Sequence, residues 1–92
     1  MRLQHGYEIF EKRTGNVVKT GVSGGKLNKN GTSRRAISQV NKWNKSAGHK
    51  KFTHRVVVKN VKGRSKILEW EKSNTKRLKN AGHDMYKHSR PK

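Results

Sequence analysis

The apolar residues of this chain come in short blocks, each closed by glycine or asparagine, and that rhythm limits the fold more than any other feature. Tyr7-Glu8-Ile9-Phe10-Glu11 and residues 17–22 have strand composition, and Arg13-Thr14-Gly15-Asn16 between them is turn chemistry, which predicts a β-hairpin. Residues 23–32 hold Gly24, Gly25, Asn28, Asn30 and Gly31 and read as a loop. Thr32 or Ser33 then caps a helix over roughly 34–46, with Ala36, Val40, Trp43 and Ala47 as its buried stripe and Gly48 as a left-handed stop. Residues 52–61 centre on Val56-Val57-Val58 and predict a third strand, placed centrally by its β-branched content. Ser65 caps a second helix to about residue 80, ended by Gly82, along which Ile67, Glu71, Asn74, Leu78 and Ala81 follow at steps of three or four. The order β-β-α-β-α is that of a small single α+β domain, residues 1–92 with a core at 6–82 and its sheet packed against helices. The tail, 83–92, is expected to add an edge strand or to lie against the body.

Only 28% of the residues are hydrophobic, so the core must be thin. Lysine and arginine number 24 against 5 acids, a formal net charge of +19 in 92 residues. High charge with low hydrophobicity is the signature of disorder, but the ordered apolar blocks, which contain both tryptophans, favour a folded domain. A domain so charged repels itself, and a polyanion or an acidic partner would supply the missing negative charge. The absence of cysteine excludes disulfides and thiolate metal sites. No apolar run approaches the ~20 residues of a membrane span. Nor is there a signal-peptide pattern, because Met1-Arg2-Leu3-Gln4-His5 leads straight into the first strand, as in a piece cut from a longer chain.

Against that background the few exceptions matter. Glu71 shares the stripe of Ile67, Asn74 and Leu78 and is expected to face the sheet, whereas Glu69 lies off it beside Lys72 and Ser73. An acid on a semi-buried face needs a partner or a task; a helix-to-sheet ion pair is the alternative to a functional role. Five histidines, His5, His49, His54, His83 and His88, offer proton transfer near neutrality, and no two have the spacing of a metal motif. Arg34 and Arg35, at the start of the first helix, make a candidate phosphate seat. Lys19 lies on the second strand, opposite to Val18, Thr20 and Val22. Lys26, Lys29, Lys42 and Lys45 are candidate backbone contacts for nucleic acid. Five acids, Glu8, Glu11, Glu69, Glu71 and Asp84, are too few for a two-metal centre. Cleavage would then use one cation on one glutamate, or no metal at all, the latter favouring RNA with its internal 2′-hydroxyl nucleophile.

Gly6-Tyr7-Glu8-Ile9, the Thr14-Gly15 turn and Val18-Lys19-Thr20-Gly21-Val22-Ser23 resemble the hairpin of GIY-YIG endonucleases, and the element order, with an arginine on the first helix and a glutamate on the second, is similar too. The chain resembles more closely the C-terminal toxin domains of bacterial polymorphic toxins, of the Rhs and contact-dependent inhibition type. There the shared features are the Gly-rich loop, Ile67-Leu68-Glu69-Trp70-Glu71, Gly82-His83 and His88-Ser89-Arg90-Pro91. By position the resemblance implies that Tyr7 is the first motif's tyrosine, Arg34 or Arg35 the helix arginine, and Glu71, or else Glu69, the metal-binding glutamate. Lys19 stands where the second motif's tyrosine would be, and His83 or His88 stands near the family's late asparagine.

The expectation is therefore a toxin endonuclease that cleaves nucleic acid, with RNA favoured and tRNA one candidate, using Tyr7, Lys19, Arg34, Arg35, Glu71, His83 and His88. It needs no cofactor, or one Mg²⁺ on Glu71. As the resemblance implies, it would be the C-terminal part of a secreted or surface-delivered bacterial toxin, act in the target-cell cytoplasm and be neutralised by an acidic immunity protein. A metal-dependent DNA endonuclease and a non-enzymatic RNA-binding module of ribosomal-protein type are the rivals.

Overall fold

The computed structural model describes residues 3–88. Its elements are β1 (Leu3–Glu11), β2 (Val17–Ser23), α1 (Arg34–Ala47), β3 (Phe52–Lys62) and α2 (Arg64–Asn80), the α+β order expected. The sheet runs β2-β1-β3 with both pairings antiparallel. The hairpin strand β1 is thus central, and β3 is an edge, not the centre its valines suggested. Val57 is exposed, as side chains on the open face of an antiparallel sheet are.

Alternation along β1 places a helix on each face. Tyr7 and Ile9 cluster with Val18, Ala36, Val40 and Phe52 beneath α1, and Trp43 packs against their margin. Glu8 points the other way, to Asn74 of α2, and Phe10 joins Val17, Leu78 and Met85 there. Ile67, Glu71, Asn74, Thr75 and Leu78 form the buried side of α2, while Ala81 is exposed. Ala47 is likewise exposed, at the last residue of α1. Ser33 caps α1, its hydroxyl accepting from the Ala36 amide, and Gly48 ends it at φ 79°. The expected cap at Ser65 is not used. Gly63, at φ 92°, opens α2 one residue before Arg64 and offers no side chain to cap it.

Gly6 is required by packing. A Cβ there would lie 2.2 Å from the Trp70 ring of α2, so the ring rests directly on the β1 backbone. Gly6→Ala is expected to cost about 1–3 kcal/mol by overpacking, read as a lower urea midpoint. An unchanged midpoint would mean that the Trp70 contact contributes nothing.

The described part of the tail lies against the body. The Val17 amide donates to His83 Nδ1 at 2.9 Å and the Lys87 amide donates to the Val18 carbonyl at 3.1 Å. Asn16 exchanges hydrogen bonds with the Asp84 backbone at 2.8 and 2.7 Å, and the Tyr86 hydroxyl donates to Glu11. Met85 is buried. Ser89, Arg90 and Pro91 of the C-terminal motif lie outside the described residues. No helix among those described is long and apolar enough to cross a membrane.

Candidate functional site

Two helices on opposite faces can meet only past the edge of the sheet, and a missing side chain opens the way. Tyr7 is fully buried, and its ring crosses Gly21 of the neighbouring strand; a Cβ on Gly21 would stand 2.5 Å from Tyr7 Cζ and 2.6 Å from its hydroxyl. The phenol thereby extends from the central strand to the outer edge of β2. There it donates to Gln39 Oε1 of α1 at 3.0 Å. Burial pushes the Tyr7 pKa up, an Arg35 hydrogen bond and charge oppose this, and the nearby Glu71 reinforces it. The phenol is therefore neutral at physiological pH.

Around that hydroxyl is a cleft of about 150 Å³ lined by Tyr7, Lys19, Gly21, Val22, Arg35, Glu71 and His88. Five residues singled out from the sequence thus come together from β1, β2, α1, α2 and the tail. Glu71 is only 4% exposed and reaches the cleft from the α2 side, as its stripe predicted. Its carbonyl accepts from Thr75 Oγ1 at 2.8 Å, and Thr75 Oγ1 in turn lies 3.4 Å from His88 Nε2. Lys19 Nζ stands 5.9 Å from the Trp43 ring centre, and Lys87 Nζ stands 5.2 Å from it. Strict strand alternation sets Lys19 opposite to Val18. In fact a register shift between Ile9 and Phe10 leaves Val18 without a pairing partner, so both side chains serve the α1 side.

Two expected site residues lie elsewhere. Arg34 is exposed, and its Nε donates to Asn28 Oδ1 at 3.2 Å, pinning the loop before α1. One helical step separates it from Arg35, about 100° around the axis, and only Arg35 faces the cleft. His83 is held as an acceptor for the Val17 amide and anchors the tail instead of lining the cleft. His5 is buried, with Nε2 2.8 Å from Ser33 Oγ; desolvation lowers its pKa, opposed by a hydrogen bond that the ring donates to the Gly25 backbone. Lys26 lines a different cavity, and Lys29, Lys42 and Lys45 are exposed.

Glu8 carries a network that sequence reasoning missed. Only 1% exposed, it accepts from Arg55 at 2.9 and 2.6 Å, from Asn74 at 2.8 Å and from Arg77 at 3.3 Å. Asn74 also donates to Thr20 and accepts from Arg77, so both amide ends are used. The available signal was an acid set between Tyr7 and Ile9 in a strand-like run.

A divalent cation fits this cleft poorly. Among the described residues lining it, Glu71 is the one carboxylate, Lys19 and Arg35 add two positive charges, and Glu8 is committed to its arginines. Hard cations prefer several oxygen ligands, and the described residues contain no group of three or more acids and histidines arranged to supply them. The donor set suits an anion with protons to move.

The model of one protein family, described as URI fold toxin 2, matches residues 2–82. No solved structure matches the chain.

Proposed function

Because the chain belongs to the URI fold toxin 2 family of toxin domains, we propose that its cleft is a ribonuclease site. One observation carries this reading: a buried carboxylate, a histidine, a lysine, an arginine and a neutral phenol converge on one polar cleft in a chain of net charge +19. Basic surface would draw in the phosphate backbone, and the cleft would act on one phosphodiester. Glu71 accepts the proton of a ribose 2′-hydroxyl, and the 2′-oxygen attacks phosphorus. The bond from phosphorus to the 5′-oxygen breaks, and His88 gives that oxygen a proton. The products are a 2′,3′-cyclic phosphate and a 5′-hydroxyl. Arg35 and Lys19 stabilise the added charge on the non-bridging oxygens, and Tyr7 holds the Arg35 guanidinium in place.

An acidic immunity protein that covers the cleft would silence the domain in its producer, and charge complementarity would make the association fast. The domain would act in the cytoplasm of a target cell after delivery as part of a larger toxin.

The test is incubation of the purified domain with total RNA and with plasmid, each in Mg²⁺ and in EDTA. The expected result is RNA cut in EDTA to cyclic-phosphate ends, with plasmid intact. Plasmid nicking only in Mg²⁺ would replace this reading with a metal-dependent DNA endonuclease. Retarded but intact RNA would replace it with a binding module, and no effect on either substrate would reject it.

A further inference from the structure

A second and larger cavity, about 530 Å³, opens at the far end of β1 from the hairpin turn, within the size range of small-ligand sites. Its walls include Leu3, His5, Lys26, Leu27 and Asn60, and Gly24 and Gly25 leave one side bare of side chains. His5 and Tyr7 are two residues apart on one strand face, with ring centres 6.3 Å apart. The cavity is therefore the immediate neighbour of the cleft.

Asn60 is the feature that marks this cavity as built. Gln4 pairs with Val61 and Gly6 with Val58, so Lys59 and Asn60 together oppose the single residue His5. This bulge puts Asn60 at φ 58°, and among the described residues it alone takes a positive φ without being glycine. Bulges beside active sites re-aim side chains, and asparagine is a side chain that the left-handed backbone accepts readily. The result is a carboxamide, with one donor end and one acceptor end, at a cavity whose other polar side chains are Gln4, His5 and Lys26.

We propose that this cavity seats the nucleobase adjoining the scissile phosphate, with Leu3, Leu27 and the His5 ring as walls, Asn60 reading the base edge and Lys26 meeting its phosphate. The inference rests on the ribonuclease reading of the cleft. Sequence-selective RNA recognition works by splaying single bases into such pockets and hydrogen-bonding their edges, and a carboxamide can pair with a base as donor and acceptor at once.

The test uses ¹⁵N-labelled Glu71→Gln protein titrated with AMP, GMP, CMP, UMP and inorganic phosphate. The expected result is that nucleotides shift the amides of Gly24, Gly25, Lys26 and Asn60, with one base favoured about tenfold, while phosphate alone leaves them unmoved. Asn60→Gly, which keeps the left-handed backbone, should erase the preference, and sequenced RNA ends from otherwise native protein should lose their base bias in parallel. Leu27→Trp should abolish nucleotide binding by filling the cavity. If that variant does not fold, Leu3→Glu, at an exposed position, should do so by repelling the phosphate. Equal shifts with inorganic phosphate, no shift with any nucleotide, or an unchanged preference in Asn60→Gly would overturn the proposal. Nucleotide binding without RNA cleavage would reject the reading of the cleft and leave this cavity a nucleotide site. Cleavage without base bias in native protein would do the reverse.

Discussion

Glu71→Gln is expected to lower RNA cleavage by about 10²–10⁴-fold, the usual contribution of a positioned acid or base, with the circular dichroism spectrum unchanged. The amide has the size and hydrogen-bonding reach of the carboxylate but cannot accept the 2′-hydroxyl proton. Glu69→Gln is the matched control, since Glu69 is exposed on the same helix and outside the cleft. Initial rates on a fluorogenic RNA oligonucleotide in EDTA decide the matter. A Glu71→Gln rate within threefold of the parent would remove Glu71 from the chemistry and return it to the role of a structural ion-pair partner.

The second large effect concerns stability. Glu8→Ala is expected to destabilise the fold by about 3 kcal/mol, the low end of the cost of breaking a buried ion pair. The low end applies because the side chains of Arg55 and Arg77 are 54% and 62% exposed and rehydrate when released, whereas Asn74 is buried and loses one of its acceptors. Arg55→Ala should cost less, about 1–3 kcal/mol, because it strips only Glu8 Oε1, while Oε2 keeps Asn74 and Arg77. Urea titrations at neutral pH compare the two. With total stabilities of about 5–15 kcal/mol for ordinary domains and a core this thin, the Glu8 variant should also be the harder to purify. A loss below about 1 kcal/mol for Glu8→Ala would show that the network adds nothing beyond solvation of its parts.

The two glutamates show what can be read from such a sequence. Glu71 was legible because a helix repeats every 3.6 residues, and apolar neighbours at steps of three and four fix the direction of an acid among them. Glu8 was harder, since strand alternation says which face a residue takes but not whether that face is covered. The valines of β3 failed as a guide for a related reason: β-branched content marks a strand but does not separate centre from edge. The choice between Arg34 and Arg35 turned on which residue capped the helix, and Thr32 and Ser33 are both good caps. Least legible was the cleft itself. It exists because Gly21 contributes no side chain where the Tyr7 ring crosses it, and an empty volume leaves no periodic trace in a sequence. The histidines divided by contact: His83 is consumed by a backbone amide and His88 reaches the cleft.

The tail that delivers His88 also sets an order in time. Tyr7, Lys19, Arg35 and Glu71 all precede it in the chain, so a ribosome making this domain completes every other wall of the cleft before it adds the last one. His88 must then be fastened by the amide of Lys87 and the ring of His83 on β2 and by the hydroxyl of Tyr86 on Glu11 at the end of β1. A partly synthesised chain of this kind carries the basic surface without the finished site. The cleft is complete only after His88 has cleared the exit tunnel and docked.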